Sequence, residues 1–586
     1  MFGTDYDIRN IRLSSDYERR KVEDFLKSND LKLDRLDYYA AITDEDENII
    51  AGAGMSGDII KDIAVDSNHR DEGLSGKLIS HLIERSSSIG ILSQKIFTKP
   101  ENENIFSDMG FHTIAKSDKA ILMENAIGGI DDYCRYLKQF SDTVSDIGEN
   151  REYHNGVIVM NANPFTHGHR YLIEKAVERV DHLFIIPVKE DISEFSYQER
   201  KAMIEDGCRS LIREKKLTDN RIIIVDGSDY SISAATFPSY FLKKADDIAL
   251  SQIRLDLYLY KNHIAKALKA EVRFVGSEPE DELTRMYNDE MKKVLGEEGV
   301  AEIERLKTDD FIVSASRVRN ILTKGKLAKT LGMVPSSTLP YLLAHLASNA
   351  LKEELNTENK PGLVDALQNG SHKDMNYALM MKSIETLHPF FIRLAKEATE
   401  TNVVVEIGKE AENAMLAATG GVNTHRGALF ALGISIVAAM KLIKNNGFID
   451  VALLQKEIMN IAVDIPSAEN THGSEVKKKY KVGGALDNAK NGYRQLFESW
   501  LPFYIKTEDN IRTLLLIISQ LTDTNILYRK GSGEAEDVKK EAKRLFDGFS
   551  NEGLLAMHRH FIERNISPGG AADMLALTIF IKSIIT

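Results

Sequence analysis

The middle of the chain alternates short apolar runs with longer segments whose apolar residues recur every three or four positions. The first such pair is the run Val157–Met160, followed by a helical pattern over His169–Val180. This alternation indicates strands and helices in turn, which form a parallel sheet covered by helices. Further strands are predicted over Leu183–Val188, Arg221–Val225 and Val272–Val275, and a further helix over Tyr197–Gly207. We therefore predict an α/β domain over residues 150–335.

The two ends of the chain differ from this middle part. In the N-terminal part, strands are predicted over Tyr38–Ile42, Ile49–Gly52 and Ile60–Val65, with a turn at Asp44–Asn48 and a helix over Ser75–Arg85. This mixture predicts an α+β domain over residues 1–130. From residue 336 only helical patterns remain, over Leu339–Leu355, Met375–Ala398, Leu429–Asn445, Ile511–Leu521 and Ala571–Ile585. We predict an all-α domain over residues 336–586.

Composition limits the class of protein. The 586 residues are 43% hydrophobic and 28% charged, which is usual for a water-soluble globular protein. The net charge of −13 argues against general nucleic-acid binding. The apolar run Ala428–Met440 is too short to span a bilayer and is predicted as a buried helix. With only Cys134 and Cys208, and an N-terminus unlike a signal peptide, we expect a cytoplasmic protein.

The candidate chemistry centres on the turn Asn161–Tyr171, which joins the first strand of the α/β domain to its helix. Gly168 lets the backbone approach a bulky anion, and free N–H groups at a helix start attract phosphate. Thr166 and His169 are three positions apart and can share one side of the first helical turn. This arrangement suits attack on the α-phosphate of ATP with release of pyrophosphate. An ordinary capped helix start is the alternative reading of the turn alone.

Two later segments strengthen the nucleotide reading. Ser314–Arg319 offers hydroxyls and arginines at a helix start, which suits a polyphosphate. Gly276–Pro279 directly follows a predicted strand, at the edge where ligands bind in such sheets. With these segments the sequence resembles the nucleotidyltransferase superfamily, and more specifically citrate lyase ligase, also called citrate lyase synthetase. The segment Glu190–Phe195, with Arg200 after it, also resembles that family.

The resemblance implies a Rossmann-like nucleotidyltransferase domain in which ATP and acetate form acetyl-AMP and pyrophosphate. The acetyl group then passes to the thiol of the prosthetic group on the citrate lyase acyl carrier protein. It implies catalytic roles for Thr166, His169 and Arg317. It implies nucleotide binding by Asn163, Phe165, Gly168, Gly276, Glu278, Ser314 and Ser316. Weaker candidates, which a role as surface or structural charges explains better, are Arg170, Lys189 and Arg200.

The loop Val65–Leu78 in the N-terminal domain resembles the pyrophosphate loop of the GNAT acetyltransferases. The resemblance implies a GNAT-like domain and a possible CoA loop formed by Arg70, Gly73 and Ser75. Ser75 stands where that family has glycine or alanine, which weakens the inference of CoA binding. Citrate lyase ligases carry such a domain at this end. A domain that only packs, or docks the carrier, is the alternative.

Four loops between the C-terminal helices carry Asp, His and Lys residues that could together hold Mg²⁺ and a triphosphate. Taken together, and in their order along the chain, the four loops resemble those of triphosphoribosyl-dephospho-CoA synthase. The resemblance implies transfer of the triphosphoribosyl part of ATP to dephospho-CoA with loss of adenine. The candidate site residues by resemblance are Lys360, His372, Asp374, Asn423, His425 and Asp573. Asp374 and Asp573 are the predicted metal ligands.

One segment departs from this second family. After Thr471–Gly473 the family has a Gly-x-Arg-Gly-Glu-Ala stretch, whereas this chain has Gly483–Gly492 without the arginine and glutamate. Asp487 is a candidate replacement for the carboxylate. The sequence therefore predicts a bifunctional enzyme serving citrate lyase. Two alternatives stay open: a central domain that adenylylates another substrate, such as phosphopantetheine, and a C-terminal domain that only docks the carrier or dephospho-CoA.

Overall fold

The computed structural model describes residues 6–144, 152–189, 193–230, 245–277, 282–307, 312–467, 479 and 483–586. The chain forms two compact units. Unit 1 comprises Met1–Asn161, His169–Tyr197 and Leu211–Ile312, and unit 2 comprises Ala162–Gly168, Gln198–Ser210 and Val313–Thr586. Each unit is built from distant stretches of sequence. The domain limits at residues 130, 150 and 335 stay predictions.

A seven-stranded mixed sheet forms the N-terminal part of unit 1. Its strands are β1 (Ile8–Ile11), β2 (Tyr38–Thr43), β3 (Ile49–Ser56), β4 (Ile59–Val65), β5 (Lys95–Thr98), β6 (His112–Lys116) and β7 (Ile121–Glu124). The spatial order is β1-β2-β3-β4-β5-β7-β6, with β4 and β5 parallel and the other pairs antiparallel. The helices are α1 (Asp16–Ser28), α2 (Leu74–Ser88), α3 (Glu103–Ser107) and α4 (Gly129–Thr143). This mixed sheet with its helices confirms the predicted α+β class for the N-terminal part of the chain.

The predicted turn between β2 and β3 is confirmed by its hydrogen bonds. Asp44 Oδ1 accepts from the backbone N of Asp46 at 2.9 Å and from that of Asn48 at 2.8 Å. A short carboxylate that captures nearby backbone N–H groups is the physical reason Asp begins such turns.

A five-stranded parallel sheet forms the rest of unit 1. Its strands are β8 (Tyr153–Met160), β9 (Val180–Pro187), β10 (Ile222–Ile224), β11 (Val272–Gly276) and β12 (Val300–Ile303), in the order β10-β9-β8-β11-β12. The helices of this stretch are α5 (His167–Val177), α6 (Tyr197–Lys215), α7 (Ala245–Leu259), α8 (Ala265–Ala267) and α9 (Glu282–Leu295). The parallel-sheet prediction is confirmed. The helix predicted to reach Val180 ends at Val177, because Val180 begins β9.

The two sheets of unit 1 share one hydrophobic core. Ile59 and Phe97 of the mixed sheet belong to the same buried cluster as Val157, Phe184 and Ile186 of the parallel sheet. Burial of apolar area contributes about 25 cal/mol per Å². Such a shared core makes the mixed sheet an integral part of unit 1.

Apart from two short stretches taken from the α/β sequence, unit 2 runs from Val313 to the C-terminus, and its described helices follow one another without a strand. They are α10 (Ala315–Leu322), α11 (Leu339–Asn356), α12 (Tyr377–Glu397), α13 (Thr401–Ala418), α14 (Arg426–Asn446), α15 (Val451–Val463), α16 (Ala485–Lys490), α17 (Leu501–Thr507), α18 (Asn510–Gln520), α19 (Thr524–Lys530), α20 (Ser532–Asp547), α21 (Asn551–Glu563) and α22 (Gly569–Ile585). Within the described part of the chain, α14 is long and apolar enough to cross a membrane, but 78% of the apolar window is buried. That burial fits the predicted core helix.

Candidate active sites

The turn after β8 is anchored in unit 2 from both sides. Phe165 and Thr166 are almost completely buried. The backbone oxygen of Phe165 accepts a hydrogen bond from Thr338 Oγ1 at 3.0 Å. The backbone N of His167 donates to the oxygen of Met333 at 2.9 Å. The turn is therefore held in one conformation by protein contacts before any ligand binds.

Gly168 is favoured by the closeness of a second chain segment. A Cβ at this position would lie 3.0 Å from the backbone oxygen of Val313 and 3.4 Å from Thr166 Oγ1. Val313 immediately precedes the serine- and arginine-rich segment, so a side chain at this position would push the two segments apart by a few tenths of an ångström.

The structure brings the turn and the Ser314–Arg319 segment together within unit 2. Arg319 Nη1 donates a hydrogen bond to the backbone oxygen of Asn163. Ser314 caps α10 by accepting from the backbone N of Arg317 at 3.3 Å, and its Oγ lies 3.2 Å from that of Ser316. Asn163 of the turn and the predicted phosphate-binding residues of α10 thus lie in one part of unit 2. Arg319, which the sequence analysis did not single out as a site residue, joins them.

His169, the first residue of this helix that belongs to unit 1, has an altered acidity. Burial, and then the positive charge of Arg305, lower the pKa of His169 to about 4. The imidazole is therefore neutral at pH 7 and can accept or donate a hydrogen bond without carrying charge.

The end of β11 lies beside Arg305 in the same unit. Arg305 Nε donates to the backbone oxygen of Ser277 at 2.8 Å, and its backbone N donates to Ser277 Oγ at 3.2 Å. Asn288 Nδ2 donates to the backbone oxygen of Gly276 at 3.1 Å. A single arginine after a short strand carries no sequence signal, so Arg305 was missed. Glu278 lies outside the described residues, as does Glu190–Ile192 of the family signature.

The three weaker candidates have different surroundings. Arg170 forms an ion pair with Glu214 in unit 1. Lys189 Nζ lies 3.3 Å from Asp229 Oδ2 and is exposed. Arg200 is completely buried. The ion pairs of Arg170 and Lys189 favour the alternative that these two residues are surface or structural charges.

The possible CoA loop follows β4 as a 3-10 turn over Ser67–Glu72. Asp66 Oδ1 begins it by accepting from the backbone N of Asn68 at 2.9 Å. Gly73 then adopts a φ of 69°, which favours glycine, and α2 begins at the next residue. Arg70 and Gly73 are exposed and Ser75 is half-buried. The start of α2 is thus open on this side of unit 1.

Two candidate site residues of the helical unit, Lys360 and His425, lie near each other, and Lys360 forms a buried ion pair with Glu354. Lys360 is 1% exposed, and its Nζ lies 2.5 Å from Glu354 Oε1. His425 Nδ1 lies 2.8 Å from Ser383 Oγ, and its Nε2 has no hydrogen-bond partner among the described residues. Burial, and then the charge of Lys360, lower the pKa of His425 to about 3. A neutral imidazole with one open nitrogen thus lies near a buried cation.

Two carboxylates converge at the start of α22. Asp523 Oδ2 accepts from the backbone N of Ala571 at 3.2 Å. Burial, and then the charges of Asp523 and Glu354, raise the pKa of Asp573 well above its usual value. A Cβ on Gly427 would lie 2.0 Å from Asp573 Oδ2, so this glycine makes room for the carboxylate. Carboxylates that repel one another in a buried place suit a divalent cation.

The other predicted metal ligand, Asp374, lies beside His372. Asp374 is exposed, and its Oδ1 lies 3.7 Å from His372 Nδ1. His372 Nε2 lies 2.7 Å from Ser567 Oγ. Burial, and then the charge of Arg529, lower the pKa of His372. Within the described part of the chain there is no group of three or more His, Cys, Asp or Glu residues that could hold a metal ion by themselves. Two carboxylates with phosphate oxygens remain a suitable Mg²⁺ set.

The remaining candidates have local structural contacts. Asn423 Oδ1 accepts from the backbone N of Arg426 at the start of α14 at 3.2 Å. Asp487 Oδ2 accepts from the backbone N of Gly484 at 3.2 Å and so caps α16. Thr471–Gly473 lies outside the described residues. Glu354, which is also buried, could not be predicted as a site residue, because a glutamate inside a regular helical pattern gives no signal of its burial.

The fold and these clusters define an enzyme with two parts. One part is an α/β domain of the nucleotide-binding kind, and the other is a cluster of buried His, Lys and carboxylate side chains among helices. Residues 155–342 match the model of the citrate lyase ligase C-terminal domain, and residues 340–586 match that of the ATP:dephospho-CoA triphosphoribosyl transferase. Over its first part the chain is 36% identical to [Citrate [pro-3S]-lyase] ligase of Klebsiella pneumoniae, covering 57% of this chain and 96% of that protein. The Escherichia coli ligase is 37% identical over 58% of this chain and 95% of its own length.

A third relative matches the other part. The probable 2-(5''-triphosphoribosyl)-3'-dephosphocoenzyme-A synthase of Pseudomonas syringae is 34% identical, over 42% of this chain and 93% of that protein. A solved structure of Escherichia coli ElaA covers 21% of this chain at 14% identity, with a TM-score of 0.18, too low to support a conclusion. The chain therefore belongs to the citrate lyase ligase family, fused to a member of the triphosphoribosyl-dephospho-CoA synthase family. Both families are enzymes, and the fusion indicates a bifunctional role in activating citrate lyase.

Proposed function

We propose that the α/β centre activates acetate with ATP and acetylates the citrate lyase acyl carrier protein. An acetate oxygen attacks the α-phosphorus of ATP and pyrophosphate leaves, which gives acetyl-AMP. The thiol of the carrier's prosthetic group then attacks the acetyl carbon, and AMP leaves. The chemistry at phosphorus needs positioning and charge stabilisation more than a covalent nucleophile.

The joining of the Asn163–Gly168 turn to the Ser314–Arg319 segment is the observation that supports this proposal most directly. The start of α10, with Ser314, Ser316 and Arg317, suits the β- and γ-phosphates. Neutral His169 and buried Thr166 would stabilise the charge that develops on the α-phosphate. Gly276, Glu278 and Phe165 would line the nucleotide site.

An assay of pyrophosphate release by the purified full-length protein tests this proposal. Release that depends on acetate is the expected result. Release with phosphopantetheine in place of acetate would support the alternative adenylyltransferase and overturn the proposal. Transfer of labelled acetyl groups to the carrier protein, in the same mixture, tests the second step.

For the helical unit we propose synthesis of 2'-(5''-triphosphoribosyl)-3'-dephospho-CoA. The 2'-hydroxyl of dephospho-CoA attacks C1'' of the ATP ribose, and adenine leaves. Mg²⁺ would neutralise the triphosphate and would be held by Asp573 with Asp523, whose carboxylates converge, and by Asp374. Neutral His425, whose Nε2 is open, would accept a hydrogen bond from the attacking hydroxyl and orient it. Lys360, His372 and Asn423 would complete the site.

Release of adenine from ATP in the presence of dephospho-CoA tests this second activity. No adenine release, with retained binding of dephospho-CoA, would support a docking domain instead. We also propose that the loop after β4, through Arg70, Gly73 and Ser75 at the start of α2, contacts a CoA-like arm. We further propose that the protein acts in the cytoplasm. Equilibrium binding of CoA to the Arg70→Ala variant tests the loop.

A further inference from the structure

A buried tyrosine of unit 2 has a hydroxyl group without a protein partner. Tyr493 is 4% exposed, and its Oη has no hydrogen-bond partner among the described residues. Most buried polar groups are hydrogen-bonded, because an unpaired one is unfavourable. A buried hydroxyl left in this state is suited to an atom of a ligand.

The backbone at Tyr493 is fixed in a conformation that residues other than glycine rarely adopt. Its φ is 45°, and that of Gly492 before it is 63°. The backbone N of Tyr493 donates to the oxygen of Asn488 in α16 at 2.8 Å, and Gln455 Nε2 of α15 donates to the oxygen of Gly492 at 3.0 Å. A Cβ on Gly492 would lie 2.8 Å from Met459 Cγ. Unfavourable backbone conformations that surrounding contacts maintain are concentrated at functional sites.

Tyr493 lies in the surroundings of Asp573, the carboxylate of the proposed synthase site. The π-helical turn Leu496–Trp500, which begins three residues after Tyr493, contacts α22, and Asp573 lies near the start of that helix. Burial, and then the negative charge of Asp573, raise the pKa of Tyr493 far above its usual value. The phenol therefore stays protonated and can donate a hydrogen bond. Asp573 keeps some exposure to solvent, so a ligand can approach from its side.

The charges around Asp573 favour a phosphate oxygen as the acceptor for this donor. Lys360 already pairs with Glu354, their Nζ and Oε1 being 2.5 Å apart. Glu354 and Asp523 both add negative charge at Asp573. A triphosphate at this place needs a divalent cation between itself and the carboxylates, and neutral donors for its remaining oxygens. The hydroxyl of Tyr493 is such a donor.

We propose that Tyr493 is a substrate-binding residue of the helical unit, whose hydroxyl donates a hydrogen bond to an oxygen of the triphosphate chain of ATP beside Asp573. This role rests on the proposed synthase function, because that function places a triphosphate at Asp573. Without ligand the hydroxyl stabilises nothing, and this separates a binding role from a structural one.

The Tyr493→Phe variant of the full-length protein, which removes only the hydroxyl, tests the binding role by kinetics. The KM for ATP in adenine release should rise by about three- to tenfold, the usual range for one neutral hydrogen bond. The KM for dephospho-CoA and the rate of acetate-dependent pyrophosphate release should stay nearly unchanged. A rise in the KM for dephospho-CoA alone would overturn the assignment to the triphosphate.

Tyr504→Phe is the matched control. Tyr504 is also 4% exposed, but its Oη donates to Glu353 Oε1 at 3.0 Å. Its loss should lower the free energy of unfolding in urea and leave the KM for ATP unchanged, whereas Tyr493→Phe should keep the free energy of unfolding of the wild type. If Tyr493→Phe destabilises the free protein and keeps the KM for ATP, the hydroxyl is structural and the proposal is wrong.

A binding measurement separates failure of this role from failure of the synthase function. Inorganic tripolyphosphate with Mg²⁺ should raise the urea midpoint of the wild type more than that of Tyr493→Phe, because a ligand stabilises the folded state according to its affinity. Binding at the ligase centre is the same in both proteins and cancels in this comparison. If the wild type releases no adenine but this difference is found, the synthase function is wrong and the role of Tyr493 stands. Equal changes of the midpoint in the two proteins would overturn the role of Tyr493.

Discussion

Arg319 Nη1 donates a hydrogen bond to the backbone oxygen of Asn163, a residue 156 positions earlier in the chain. This bond joins the turn after β8 to α10, and both Asn163 and α10 belong to unit 2. Arg319 therefore connects the two segments that carry the predicted nucleotide site, although Arg319 itself was not predicted as a site residue.

Replacing Arg319 by Met should weaken the ligase reaction. The variant loses the bond to Asn163, so the turn is no longer held against α10, and the expected fall in acetate-dependent pyrophosphate release is about tenfold, because small displacements are costly at a site that works by positioning. Lys324→Met, an exposed lysine shortly after the same helix, is the control. Equal rates in the two variants would contradict a positioning role for Arg319.

The His169→Ala variant should lose most of the acetate-dependent pyrophosphate release. A fall of about 10²–10³ in rate is typical when one charge-stabilising group is removed. Adenine release in the presence of dephospho-CoA belongs to the other unit and should stay unchanged, which controls for misfolding. Near-normal pyrophosphate release by His169→Ala would reject its assignment.

Gly427→Ala should abolish adenine release while sparing pyrophosphate release. The new Cβ would lie 2.0 Å from Asp573 Oδ2, so the carboxylate must move. The same substitution at Gly408 in α13, where a Cβ would meet nothing within 4 Å, is a matched control and should keep both activities. If Gly427→Ala keeps full adenine release, the position of Asp573 is not important for this reaction.

The stability of unit 2 should fall as the pH falls below about 6.5. Burial holds the pKa of His425 at about 3, whereas the unfolded chain takes up a proton near pH 6.5. The unfolded state therefore binds more protons in this window, and the contribution of His425 is complete only above pH 6.5. Between pH 6.5 and 5.5, the free energy of unfolding should fall by about 1 kcal/mol less in His425→Gln than in the wild type.

Urea unfolding followed by the fluorescence of Trp500 measures this effect. Trp500 is the only tryptophan of the chain, lies in unit 2 and is 2% exposed. Identical pH slopes for the wild type and His425→Gln would show that His425 gains its proton at an ordinary pH, and would contradict a buried neutral imidazole at this place.

Local patterns were enough to predict most of the regular structure. Val157–Met160 and Val272–Val275 are strands because apolar residues are continuous where both faces of a parallel sheet are covered. Leu339–Leu355 and Ala571–Ile585 are helices because their apolar residues follow the helical period. Helix ends were less well predicted: the limit at Val180 was wrong because a strand begins there.

The sequence by itself determined the three fold classes, the turn around Thr166 and Gly168, and the families that its motifs indicate, because these depend on residue type and on spacing over short distances. Only the tertiary structure decided that Arg319 reaches Asn163, that burial and then the charge of Arg305 lower the pKa of His169, and that Asp523 and Asp573 converge. Such pairs are separated by tens of residues or more, and burial sets the strength of their charges. A sequence records neither distance nor burial, so these relationships had to come from the fold.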